Sequence, residues 1–178
     1  MESITKPTGY SINEDGDGPD TVLSDSSIIR SGSIIYKNVE AGSNLHVGHN
    51  VLIRDNCRFG ENVSIGSGTI VEHSVQIADN CRLHSACFIP EYTQIMRNSW
   101  IGPRVTITNS RYPNKADSKQ NLEPVIIEEN CVIGANVTIL PGVRIGANSL
   151  VGAASLVAKS IPPNSIAYGH PASVKGKI

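Results

Sequence analysis

A chain of 178 residues with a net charge of −1 is long enough for one domain with a continuous core, and its Lys and Arg residues are scattered rather than clustered. That distribution excludes the basic footprint of a nucleic-acid binder or of a protein that docks on anionic membranes. With only 4% aromatic residues, and Gly, Asn, Ser, Ile and Val plentiful, the core has to be narrow and filled by branched aliphatics.

No apolar run approaches the ~18 residues of a membrane span. The N-terminus lacks the basic-then-apolar layout of a signal peptide. A soluble, cytoplasmic protein that binds neither membrane nor nucleic acid is expected. Residues 1–22, with an Asp/Gly-rich stretch at 14–20, show no repeat and are expected to form an arm or a frayed end.

A repeat begins at Leu23. Stepping by six from there to Ile107 meets an apolar residue at all fifteen positions, and stepping from Ile127 to Val157 does so at all six. In a chain that is 39% hydrophobic, chance does not produce such a run. Four residues after each of these, 18 of the 21 positions hold Ser, Thr, Val or Cys, which suit an inward-facing strand position. Three residues after, Asn and Gly dominate (Asn44, Asn50, Asn62, Asn136, Gly68, Gly142), the residues that tolerate φ > 0 at a tight corner.

Each hexad is therefore a short strand and a sharp turn, and three hexads close a triangular coil. About seven coils at the ~4.8 Å spacing of neighbouring strands give an all-β prism ~34 Å long, stabilised by stacking, since no hexad buries its own apolar residue. A helix would show spacings of three and four, and a meander would alternate at two; the period of six fits neither.

Cys57, Cys81, Cys87 and Cys131 all fall on the small inward position and read as buried hydrophobes rather than as metal ligands or disulfides. The repeat domain runs from 23 to 161 and is interrupted at 108–126 by a polar stretch bounded by Pro113 and Pro124. A polar loop extruded from a rigid prism is the expected seat of function. Residues 162–178 form a cap over the last coil, which would otherwise be an aggregation-prone edge.

The stretch from Pro124 to Ala172 resembles the C-terminal coils of the hexapeptide-repeat acetyltransferases. Val105-Thr-Ile-Thr-Asn-Ser-Arg-Tyr-Pro113 resembles the loop entry of those acting on nucleotide-linked amino sugars. This resemblance implies a left-handed parallel β-helix, against the usual right-handed crossover. It implies a homotrimer that holds acetyl-CoA in a groove between subunits and acetylates an amine in glycan-precursor synthesis, without metal. Two departures stand out. Sugar O-acetyltransferases of the family carry a His directly before the loop proline, where this chain has Tyr112, and the aminosugar branch often has Asp where this chain has Ser110.

Carried onto this chain, the resemblance makes His84 and Asn109 the catalytic candidates. It gives Ala135, Ala153 and Lys159 to the coenzyme, with small side chains admitting the pantetheine and the lysine meeting a phosphate. His49, Glu91 and Tyr112 are the acceptor-binding candidates. Sugar O-acetylation is the alternative activity. The three-histidine zinc site of β-helix carbonic anhydrases has no counterpart, because nothing between His84 and His170 is His.

Overall fold

The structure is a computed structural model that describes residues 9–178. The chain winds as a left-handed parallel β-helix with three flat faces. Each coil contributes a two- or three-residue strand to each face in turn. The first coil runs from Ile28–Ile29 on face one, through Ile34–Tyr36 on face two, to Glu40–Ala41 on face three. Corners alternate with strands because the turn residues adopt the left-handed conformation: Asn44, Asn50, Asn56 and Asn62 have φ of 60°, 53°, 61° and 56°. A side chain that hydrogen-bonds locally makes this conformation accessible to Asn.

Neighbouring coils meet at a separation of 18 residues, as Asn38 and Asn56 do where their side chains hydrogen-bond. The same register sets Ile35 against Ile53 and Ile77 against Ile95. Across the extruded loop the separation grows to 32 residues, as between Asn98 and Asn130. Ile95 then pairs with Ile127 and Ile107 with Ile139, so the extra length is inserted at the corner between faces two and three and the ladders on either side stay in phase. The three sheets hold nine, eight and six strands. The extra strands come from the two ends: Ser165–Gly169 and Ala172–Lys177 extend face one, and Ser11–Glu14 extends face two by pairing with Ile34–Tyr36.

Residues 9–22 thus run alongside the prism, and Val22 bridges to Glu40. The remainder of the segment expected to be an arm, residues 1–8, lies outside the described residues. No helix among the described residues is long and apolar enough to cross a membrane.

Inside, the hexad aliphatics stack into columns such as Ile101, Ile133 and Val151, all at most 1% exposed. The four cysteines are buried and free. Their role is more specific than that of small hydrophobes. Each thiol donates to the carbonyl fifteen residues on: Cys57 to Glu72 at 3.2 Å, Cys81 to Met96 at 3.1 Å, Cys87 to Gly102 at 3.2 Å and Cys131 to Gly146 at 3.3 Å. Ser33 and Ser99 make the equivalent bonds with hydroxyls. Burial raises Cys57 to about 12 and Cys81 to about 11, so neither is a thiolate at neutral pH.

The three corners differ. Between faces three and one, Asn44 donates to Asn62 and Asn62 to Asn80, and Asn98 donates to Asn130, Asn130 to Asn148 and Asn148 to Asn164, all at 2.9–3.1 Å. That corner is a uniform amide ladder. The two corners that flank face two break the pattern: Ala86, Arg104 and Ala154 stand in left-handed positions on one, and Ser74 and Tyr92 on the other.

Candidate functional site

The edge between faces one and two carries a column of residues that ends each strand. Gly48, Gly66, Gly102, Gly134 and Gly152 belong to it, and steric contact explains why. A Cβ on Gly66 would lie 2.5 Å from the Ser85 nitrogen, one on Gly102 2.7 Å from the Ala135 nitrogen, and one on Gly134 2.5 Å from the Ala153 nitrogen. His84 is the single side-chain-bearing member between Gly48 and Gly152. Its ring leans on Trp100, with centroids 4.7 Å apart and planes at 58°. Burial first and the Arg82 charge second hold its pKa below the ordinary 6.5. The imidazole is therefore mostly unprotonated at neutral pH and has a nitrogen lone pair free to accept a proton.

The next column on this edge contains His49, Ala135 and Ala153. Ala135 and Ala153 occupy equivalent positions on adjacent coils, leaving a strip of backbone covered by nothing larger than a methyl group. His49 stands four coils below Ala135, about 19 Å along the axis. Its Nδ1 lies 2.9 Å from Ser31 Oγ, and its backbone N–H donates to Ser67 Oγ at 3.0 Å.

The other edge of face two, toward face three, holds the remaining candidates. Asn109 is buried at 8% exposure where the loop departs. Its Nδ2 donates to Glu91 Oε2 at 2.7 Å, one coil below. The neck of the loop closes through Glu123, whose N–H donates to the Asn109 carbonyl at 2.7 Å and whose own carbonyl accepts from Gly142 at 2.8 Å. Arg111 clasps the neck, donating from Nε and Nη2 to the two Glu123 oxygens at 3.0 Å each and from Nη2 to the Pro141 carbonyl at 3.0 Å. This pairing depresses the Glu123 carboxyl below its usual range. Tyr112, 58% exposed, stacks under the Lys115 ammonium at 4.6 Å. Lys159 stands two rungs above Asn109 and is exposed.

Glu91 and Asn109 are thus brought together, with Tyr112 at the loop neck and Lys159 above. His49, His84, Ala135 and Ala153 share the opposite edge. Face two separates the groups, so within one chain His84 does not meet Asn109, and Lys159 does not share an edge with the two alanines. The repeat gave no sign of Trp100 against His84 or of the Arg111–Glu123 clasp. The first lies on the outward column, where residue type is unconstrained by packing; the second lies where the period is interrupted.

The Asn109–Glu91 pair is open to a charge test. Asn109→Asp would set two carboxylates against each other at the same contact, and one would be forced to hold its proton. Its folded pKa would rise above the unfolded value of about 4. The penalty is absent below that value and grows as pH rises toward the raised folded pKa. Thermal melts are expected to show a Tm deficit near zero at about pH 4 and largest above neutrality. A deficit that does not vary with pH would mean the two groups are not in contact.

Comparison with known proteins agrees with this architecture. A family model for the hexapeptide repeat of succinyl-transferase matches residues 50–89 and 124–157. A galactoside O-acetyltransferase of Lactococcus lactis is 51% identical over 81 residues, covering 43% of this chain and 39% of that protein. The galactoside O-acetyltransferase of Escherichia coli is 41% identical over 95 residues, 51% of this chain and 47% of the relative. The chain therefore spans less than half the length of these two relatives. Among solved structures, a maltose O-acetyltransferase from Clostridium difficile superposes with a TM-score of 0.56 at 29% identity, covering 65% of this chain and 66% of that one.

Proposed function

Because the chain belongs to the hexapeptide-repeat acetyltransferase family, we propose that it transfers an acetyl group from acetyl-CoA to the amino group of a nucleotide-linked sugar, in the cytoplasm. The observation that carries this reading is the column from Gly48 to Gly152, in which His84 alone bears a side chain, beside the strip at Ala135 and Ala153 where the backbone is covered by nothing larger than a methyl group.

In this reaction the amine nitrogen attacks the thioester carbonyl, the oxygen becomes an oxyanion, and the C–S bond breaks to release CoA thiolate. An alkylamine is mostly protonated at neutral pH, so a base must take a proton before or during attack. His84 is fitted to that role. Asn109 Nδ2 donates to the Glu91 carboxylate at 2.7 Å and to the Glu91 carbonyl at 3.4 Å, so its amide fixes the carboxylate that faces the acceptor. Thiolate is a good enough leaving group that neither a metal nor a covalent intermediate is needed. Ala135 and Ala153 flank the pantetheine, and Lys159 meets a phosphate as a point charge. His49 and Tyr112 contact the acceptor.

The separation of His84 from Asn109 by face two calls for a second copy. In a homotrimer the His84 edge of one chain faces the Asn109 edge of the next. The outward columns support such packing. On face two Ile34 and Ile70 are 41% and 37% exposed, with Leu52 and Phe88 between and beside them; on face one Val132 and Leu150 are 39% and 37% exposed above Trp100. Apolar columns of this kind, left open on a single chain, mark association surfaces.

O-acetylation of a sugar hydroxyl is the second reading, favoured by the names of the galactoside and maltose relatives. A hydroxyl is the weaker nucleophile and depends more on a base, and the loop here offers Tyr112 instead of a histidine. The test is release of CoA thiol from acetyl-CoA by the purified chain. Acceptors would be UDP-, dTDP- and GDP-linked amino sugars, each beside its hydroxy counterpart. Thiol release with the amine alone is expected. Release with the hydroxyl alone would install the second reading, and no release together with no CoA binding would end both.

A further inference from the structure

Directly below the Glu91–Asn109 contact the corner between faces two and three departs from its own chemistry. Its left-handed position is held by Asn38, Asn56 and the small Ser74 in the lower coils, at φ 55°, 61° and 60°, and by Gly142 above the loop, at φ 74°. In the coil of Glu91 it is held by Tyr92, at φ 62°. A bulky aromatic residue in this conformation is an outlier, and such strain persists where something other than local stability selects it. Burial does not compensate for it, because Tyr92 is 45% exposed. Its ring meets His73, one coil below, edge-on at 5.2 Å with planes at 90°, and His73 Nδ1 is in turn 3.2 Å from Ser74 Oγ. The side chain is therefore held by a braced neighbour while close to half of the residue stays exposed.

The surroundings say what this exposed aromatic residue suits. Glu91 immediately precedes Tyr92, with Oε2 committed to Asn109 and Oε1 carrying no partner among the described residues. Ser110, in the first turn of the loop, stands one rung above. A half-exposed aromatic side chain, an adjacent carboxylate oxygen and a loop neck lie within two rungs, roughly 10 Å. A pyranose ring offers the complement: a C–H-lined face that packs on an aromatic ring, and hydroxyls that donate charge-assisted hydrogen bonds to a carboxylate.

We propose that Tyr92, braced by His73, is the platform on which the acceptor's pyranose ring stacks, with Glu91 receiving its hydroxyls. This rests on the acetyl-transfer reading and deepens it by naming what selects a sugar.

The test is Tyr92→Asn, which installs the residue this corner prefers. Relief of the backbone should raise Tm by about 2 °C. The KM for the sugar acceptor should rise about tenfold or more while that for acetyl-CoA stays unchanged. Calorimetric titration with the amino-sugar nucleotide should show the same loss of affinity, the variant should elute at the wild-type size, and Tyr92→Phe should restore both constants.

If the wild-type chain turns over an acceptor and Tyr92→Asn binds it as well, the platform is wrong and the acetyl-transfer reading stands. Dissociation of the assembly with acceptor affinity intact would assign Tyr92 to packing between copies and overturn the platform equally. If the wild-type chain neither binds nor acetylates any sugar nucleotide, the functional reading fails and the platform with it.

Discussion

Replacing His84 by alanine is expected to lower kcat/KM for acetyl transfer by about 10²–10⁴-fold, the usual contribution of a positioned base, with Tm within about 1 °C of wild type. The two halves of this expectation have separate causes. On stability, the other members of the column from Gly48 to Gly152 are glycine, and a methyl group is the smallest step toward the side chain already accommodated there. The substitution removes one tilted stack against Trp100 and no hydrogen bond of the ladder. On activity, the imidazole stands in the glycine column with its pKa held below 6.5, so it is ready to accept a proton at neutral pH.

The pH profile separates a base from a binding residue. Burial, then the Arg82 charge, lower the folded pKa of His84 below the unfolded 6.5. Wild-type kcat/KM should therefore stay level through neutrality and fall only below that lowered value, and this limb should be missing in His84→Ala. The same shift has a sign for stability. A depressed histidine pKa means the unfolded chain binds the proton more readily, so the contribution is full above about 6.5 and is lost as pH falls toward the folded value. Equal kcat/KM for the two proteins across the pH range would show that no base acts at this position and that the departing thiolate carries the proton away.

The largest expected loss of stability comes from the interior. Ile133→Ala should cost about 2–5 kcal/mol in urea unfolding. Ile133 is fully buried and is stacked between Ile101 below and Val151 above. In a solenoid each rung is supported by its two neighbours, so the void weakens both interfaces, and the backbone ladder holds the coils too rigidly for the gap to collapse. Ile133→Val, which keeps the branched stem, should cost about 0.5–1.5 kcal/mol. A loss below about 1 kcal/mol for the alanine variant would mean that the column is not the principal source of cohesion.

The sequence reveals the prism because one rule is repeated in every coil. An aliphatic every six residues must point inward, and the corner between must accept positive φ; both demands are local and recur. Where the rule changes, legibility fails. The strand Ser11–Glu14 escapes notice because Ile12 pairs with Ile35, a spacing longer than one coil and out of step with the repeat. The same applies to the loop clasp, which joins Arg111 to Glu123 across a stretch with no period.

The site is legible to the same extent. Glu91 and Asn109 are 18 residues apart, one full coil, so their stacking follows from counting. The placement of His84 on the other edge of face two follows the same way. The strained Tyr92 is visible as a residue in the wrong column, but that it stays close to half exposed and is braced by His73 is a matter of side-chain packing, which spacing does not encode.

The extruded loop carries a last consequence. Because Ile95 still pairs with Ile127 and Ile107 with Ile139, the scaffold registers the excursion as if nothing had been added. The clasp of Arg111 on Glu123 and Pro141 ties the excursion off at its root. Length and composition beyond that knot are thus uncoupled from the integrity of the column. Segments of other sizes, cut and spliced between Arg111 and Glu123, should exchange one acceptor preference for another without retuning a single core position.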